Sequence, residues 1–154
     1  MTNETLLTTK LVELQADHPT KEAVITCLAE KLYEQQYVKE SYSAAVLARE
    51  VIYPTGLPLA NTGVAIPHTD SVHVLKPAIA VSMLKNPVSF CVMGSPDSQV
   101  EVSMVLMLAI SDPESQLELL QRLMGIFQDA ETMQLMQEMT TADELVQLLT
   151  ERIQ

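Results

Sequence analysis

The stretch EVSMVLMLAI, Glu101–Ile110, decides the fold. From Val102 onward it is apolar at nearly every position, with Ser103 the one interruption. A strand with one face in water alternates apolar and polar residues. One that is apolar on both faces must be covered on both sides. The stretch therefore predicts a central strand covered by helices on either side. Just beyond it, Asp112 and Pro113 read as an N-cap and an N1 proline, opening a helix that runs to about Gln128. Leu117, Leu120, Met124 and Phe127 fall on one stripe of that helix. Thr141-x-x-Glu144 reads as a capping box for a last helix, Ala142–Arg152.

Upstream of the central strand, Val88–Phe90, Ala78–Leu84 and Gly63–Ile66 read as shorter strands. Earlier still the period changes to helical. Ser41–Val51 places Tyr42, Ala45, Val46 and Arg49 near one face, and Pro54 and Gly56 end it. Thr20 caps a helix to about Gln36 that turns Val24, Ile25, Leu28, Leu32 and Tyr33 inward. Lys10–Leu14 reads as an edge strand. Helices, then strands, then helices predict an α/β fold: a single domain over residues 1–154 with one mixed sheet flanked by helices.

The bulk numbers agree. The chain has 154 residues, 47% of them hydrophobic and 19% charged, enough to bury a core. Its net charge of −11 opposes binding to nucleic acid or to an anionic membrane, since both require cationic surface. No run approaches the roughly 20 apolar residues that span a bilayer. The N-terminal MTNETLLTTKLVELQ lacks the basic and apolar regions of a secretory signal. Cys27 and Cys91 stand in no metal or redox spacing and read as buried free thiols. A reducing cytoplasm is the expected location. The nine methionines fall mostly on the apolar stripes and read as core filler.

Chemistry concentrates in YPTGLPLANTGVAIPHTDSVH, Tyr53–His73, which holds two of the three histidines. Pro67 fixes its own φ and biases Ile66 toward an extended backbone, so the strand stops in a stiff corner with His68 at its C-terminal edge. Ligands of open α/β sheets gather at that edge. A neutral imidazole held there can accept an acyl or phosphoryl group. On spacing alone, an ordinary hydrogen-bonded loop histidine is an equal reading. His68-x-Asp70-x-x-His73 offers two nitrogens and a carboxylate, yet the spacing matches no strong zinc signature and no fourth ligand is evident. No metal or cofactor is expected. A G-x-S-x-G elbow, a Walker loop and a G-x-G-x-x-G are all missing from the sequence.

An ordered set carries a resemblance: LARE at 47–50, YPTGL at 53–57 and NTGVAIPHTD at 61–70, followed by KPAIAVSML, PVSF and DPESQLELLQRL. The chain resembles, from about residue 5 to 150, the enzyme IIA domain of the fructose/mannitol class of the bacterial sugar phosphotransferase system (PTS). The resemblance implies a mannitol-type enzyme IIA fold and a phosphocarrier role. The histidine of such a domain takes a phosphoryl group from the carrier protein HPr and passes it to a cysteine of enzyme IIB. The membrane component, enzyme IIC, imports the sugar. It follows by resemblance that His68 is the phosphoacceptor and that Arg49 sits beside it, where its planar guanidinium stabilises phosphoryl oxygens. A helix-surface salt bridge is the plainer role for Arg49. Thr55 and Gly56 shape the site loop or serve a plain turn.

Two departures are visible. Thr69 follows the Pro-His pair where many members have glycine. Gln116 holds the place of a second histidine, offering a neutral hydrogen-bond donor in place of a cation. The galactitol-specific branch shares the Gln-for-His change, so a galactitol-like or related polyol system is expected. Asp70 either orients the imidazole or caps a helical turn over Ser71–Leu75, the cap being preferred. His73 reads as a rim helper or a surface residue, and His18 carries no functional signal. Leu57 and Val72 are expected in an apolar docking centre, within an acidic surface that would steer a basic carrier protein. The competing readings are a regulatory relative of the nitrogen-linked branch and a small-ligand binding domain with no covalent step.

Overall fold

The computed structural model describes residues 6–59 and 62–153. The first five residues, Ala60, Asn61 of the NTG stretch and Gln154 fall outside the described residues. The elements are β1 (Val12–Ala16), α1 (Lys21–Glu34), α2 (Tyr42–Ile52), β2 (Gly56–Pro58), β3 (Gly63–Ala65), β4 (Ala78–Val92), β5 (Ser95–Ala109), α3 (Pro113–Phe127), α4 (Ala130–Glu138) and α5 (Ala142–Ile153). Short 3-10 turns span Thr9–Leu11 and Ser71–His73.

Strands β4 and β5 form a long antiparallel hairpin through Met93 and Gly94, the latter at φ +76°. Strand β1 runs parallel to β4. On the other side β3 runs parallel to β5, and β2 pairs antiparallel with β3. Gly56 of β2 also meets Val92, closing the sheet at the hairpin's far end. The result is a mixed five-stranded sheet with β5 between β4 and β3.

The apolar run of β5 is covered on both faces, as its sequence predicts. Met104, Leu106, Leu108 and Ile110 pack with Leu119, Leu123 and Leu145 from the C-terminal helices. Val105, Met107 and Ala109 pack with Val24, Leu28, Tyr42 and Val46 from α1 and α2. Each fully buried Leu or Met on this strand contributes about 1.5–3 kcal/mol of burial. Val102 faces the α1/α2 side, out of phase with Met104. The cause is a bulge: Gly63 pairs with Val102, but Val64 pairs with Met104. The β2 and β3 glycines permit close strand approach. A Cβ on Gly56 would sit 2.5 Å from the Cys91 carbonyl oxygen, and one on Gly63 would strike the Glu101 carbonyl.

The helix caps form as expected. Thr20 accepts from the Ala23 N–H, Asp112 accepts from the Ser115 N–H, and Thr141 accepts from the Glu144 N–H. Several expectations need correction. The first strand is Val12–Ala16, because Thr9–Leu11 is a 3-10 turn capped by Thr8. Ala78–Leu84 and Val88–Phe90 are one strand bulged at Leu84–Pro87, where β4 leaves the core. Tyr33 is 49% exposed, and Leu117 is 60% exposed. The buried stripe of α3 is Leu119, Leu123, Ile126 and Phe127, with Leu120 and Met124 at its margin. Both cysteines are half-buried rather than buried. Among the described residues no helix is long and apolar enough to cross a membrane.

Candidate functional site

The site is built where β3 ends against β5. Ile66 and Pro67 are buried, and the Leu108 N–H donates to the Pro67 carbonyl at 3.0 Å. His68 forms a parallel bridge with Leu108, so the proline corner is stitched to the central strand. Helix α2 is fastened to the same residue from the other side: the buried Tyr42 hydroxyl donates to the Leu108 carbonyl at 2.6 Å. One residue of β5 thus fixes both the segment bearing His68 and the helix bearing Arg49.

The His68 imidazole is half-buried, and its Nδ1–H donates to the Ile66 carbonyl at 2.8 Å. That bond sets the tautomer: Nδ1 holds the proton and Nε2 keeps its lone pair. Burial pushes the pKa below the ordinary 6.5, and the Arg49 charge pushes the same way. The Ile66 carbonyl and Asp70 pull upward without reversing the shift. The ring is therefore neutral at neutral pH, with Nε2 available as a nucleophile.

Arg49 stands in the last turn of α2, where a helix favours a cation. Its Nη1 is 3.5 Å from an Asp70 carboxylate oxygen, and its guanidinium lies 5.1 Å from the Tyr53 ring centroid. The pair is long and solvent-exposed, so it contributes at most about 1 kcal/mol and leaves the guanidinium able to turn to an incoming anion. Asp70 does neither job expected of it. It holds the N-cap position of Ser71–His73 with no side-chain cap bond, and the Ile66 carbonyl occupies the ring nitrogen it was to orient.

Thr55 lies in the loop beside Arg49 and is buried. Its N–H and its hydroxyl both donate to Glu50, at 2.8 and 2.9 Å. Glu50 is 5% exposed, and burial raises its pKa despite those bonds. Sequence reading assigned no role to Glu50 or to the Tyr42 hydroxyl. The Arg-Glu pair followed by Pro-Thr-Gly was the available signal for Glu50, because a carboxylate five residues before a turn can receive its donors. Thr69 is buried beside His68. Gln116 is half-buried in the first turns of α3, four residues after its cap Asp112. Among the described residues its side chain makes no hydrogen bond, so it is not joined to His68 here. His73 is tied away from the ring, with Nδ1 2.8 Å from the Ser41 hydroxyl. The metal grouping of His68, Asp70 and His73 does not assemble: among the described residues their ligand atoms do not converge within 4.8 Å of one another. Val72 is exposed as expected. Leu57 instead packs half-buried against the core.

Comparisons with known proteins show the family and the fold. Residues 5–152 match the family model described as phosphoenolpyruvate-dependent sugar phosphotransferase system, EIIA 2. The chain is 33% identical over 105 residues to the PTS system galactitol-specific EIIA component of Escherichia coli (strain K12), covering 68% of this chain and 69% of that one. It is similar in structure to enzyme IIAMTL in the complex of enzyme IIAMTL and phosphorylated enzyme IIBMTL from Escherichia coli, with a TM-score of 0.77 and 23% identity over 94% of this chain and 97% of that one. It is likewise similar to nitrogen regulatory protein IIA-Ntr from Neisseria meningitidis, with a TM-score of 0.77 and 23% identity over 95% and 97%. With a match spanning nearly its whole length, the chain belongs to the EIIA type 2 family of the phosphoenolpyruvate-dependent sugar phosphotransferase system.

Proposed function

We propose that this chain carries a phosphoryl group on Nε2 of His68, receiving it from HPr and delivering it to a cysteine of enzyme IIB in a galactitol-like polyol system. The observation that carries the reading is the Nδ1–H bond to the Ile66 carbonyl, which leaves Nε2 as the nitrogen with a free lone pair. In the first step that lone pair attacks the phosphorus of the donor phosphohistidine. The donor N–P bond breaks, its electron pair returns to the donor imidazole, and the Nε2–P bond forms. In the second step an enzyme IIB thiolate attacks the same phosphorus and His68 leaves as neutral imidazole. Little covalent help is required; in-line positioning and charge stabilisation do the work. Arg49 supplies the stabilising charge, and Gln116 adds a neutral donor once a phosphoryl group is present.

The surface suits transient docking. Val51, Ile52 and Tyr53 at the end of α2 are 76%, 66% and 62% exposed, and Val72 follows His68 on the chain. On this reading these exposed residues supply the apolar part of the docking surface, in a chain of net charge −11 that suits a carrier with a basic and apolar face. The galactitol preference rests on the similarity to the galactitol-specific component and on Gln116. The test is transfer from the labelled chain to a panel of enzyme IIB domains. Rapid discharge to a galactitol-type IIB supports the reading. Discharge to no IIB in the panel refutes it in favour of a regulatory relative, and failure to label at all favours a ligand-binding domain.

A further inference from the structure

Away from His68, three metal-ligating groups of different chemistry converge. Glu13 comes from β1, His18 from the following loop and Cys27 from α1. Their ligand atoms all lie within 4.8 Å of one another. Glu13 Oε2 lies 2.8 Å from His18 Nε2 and accepts from the Ser82 hydroxyl at 2.6 Å, while the Cys27 thiol donates to Oε1 at 3.4 Å. We propose that Glu13, His18 and Cys27 form a binding site for a zinc-class divalent cation, with the fourth position open to water.

The geometry needs little change. A tetrahedral ion with ligand bonds of about 2.0–2.3 Å holds its ligand atoms roughly 3.3–3.8 Å apart. The group present here reaches that spacing by side-chain adjustment of about an ångström or less at each contact. Thiolate with imidazole and carboxylate selects a borderline-soft ion over magnesium or calcium, which take oxygen ligands. Ser82 fixes the carboxylate from behind, as an outer hydrogen bond does for a metal ligand.

Access and charge agree. His18 and Cys27 open onto a surface cleft of about 490 Å³ whose rim carries Glu22, Glu30 and Glu34 against Lys31. That excess of carboxylate attracts cations. Without an ion, burial and then Glu13 push the Cys27 thiol up to about 11, so the sulfur is protonated. Binding replaces that proton: the S–H bond breaks, the proton leaves to solvent and the thiolate pair goes to the metal. His18 Nε2 holds a hydrogen in its contact with the Glu13 carboxylate, which can only accept; on binding that N–H bond breaks, its electron pair goes to the metal and the proton passes to solvent, leaving the ring neutral with one hydrogen on Nδ1. No electron is transferred, so no oxidant or reductant is needed. Sequence spacing concealed the site, because 13, 18 and 27 form no recognised ligand pattern and meet only through the β1–α1 fold.

The experiment uses the untagged full chain, with cobalt(II) as spectroscopic probe and zinc as competitor. The expected result is one equivalent of cobalt with a near-ultraviolet thiolate-to-metal band, bleached by zinc. Cys27→Ser abolishes the band, and His18→Ala weakens binding by more than about tenfold. His68→Ala leaves it intact. A second measurement needs no variant: zinc protects Cys27, but not Cys91, from alkylation mapped by peptide mass spectrometry. The proposal is overturned if the wild type shows no thiolate band and Cys27 alkylates equally fast with and without zinc. A band that survives Cys27→Ser, or one lost in His68→Ala, also overturns it.

Discussion

Replacing Glu50 tests how the site loop is held. The carboxylate is 5% exposed and takes two hydrogen bonds from Thr55, at 2.8 and 2.9 Å. Hydrogen bonds to a charged group contribute about 1.5–3 kcal/mol each. For the ionised carboxylate desolvation outweighs those bonds, so the pKa of Glu50 is raised. Glu50→Ala also leaves the Thr55 N–H and hydroxyl buried without their acceptor. The expected loss is about 2–4 kcal/mol, read as a lower urea midpoint at unchanged slope. Thr55→Val keeps the backbone bond and removes only the hydroxyl, so it costs about 1–1.5 kcal/mol. The pH dependence has a definite sign. The folded-state pKa of Glu50 lies above its free value of 4.5, so the folded chain holds this proton more tightly than the unfolded chain. The wild type therefore gains stability relative to Glu50→Gln as pH falls through the folded pKa toward 4.5, and loses it as pH rises. Urea titrations of the wild type and the three variants between neutral pH and that value check both parts. Midpoints that coincide for Glu50→Ala and wild type, or a pH trend of the opposite sign, would refute the reasoning.

Arg49→Ala is expected to slow phosphoryl acceptance by more than about tenfold, since a lost charge-assisted bond is worth roughly 1.5–3 kcal/mol, and Arg49→Lys recovers only part. Stopped-flow transfer from labelled HPr checks this, and rates within about twofold of wild type for both variants would place Arg49 outside the site. Gln116→Ala costs less than Arg49→Ala because a neutral bond is roughly half as strong as a charge-assisted one. The reverse ranking in the same assay would show the roles to be exchanged. The His68 ring titrates below 6.5 because it is buried beside Arg49. Its NMR midpoint therefore moves upward in Arg49→Ala, and an unchanged or lower midpoint would show that the two charges do not communicate.

What could be read in advance follows from where burial leaves a mark. Strand β5 was legible because both its faces are covered, and α1 because Thr20 caps an apolar stripe. The start of β5 at Ser95 was not, since residues 95–99 are exposed and carry no periodic signal. Helix α4 escaped because its nine residues bury only Thr132, Met133 and Met136. The α3 stripe was misphased because Leu117, Leu119 and Leu120 are equally apolar, and only packing against α5 selects Leu119. At the site, Pro67 announced the corner at His68. The bond that sets the ring tautomer is to a backbone carbonyl, which no side-chain pattern records.

The most direct measurement concerns the phosphoryl group itself. The chain is incubated with phosphoenolpyruvate, enzyme I and HPr, and the product is followed by mass spectrometry and by phosphorus and nitrogen NMR. The account predicts one acid-labile phosphoryl group on the wild type, bonded to Nε2 of His68, and none on His68→Ala. Labelling of His68→Ala as strong as wild type, or a phosphoryl group on Nδ1, would contradict it.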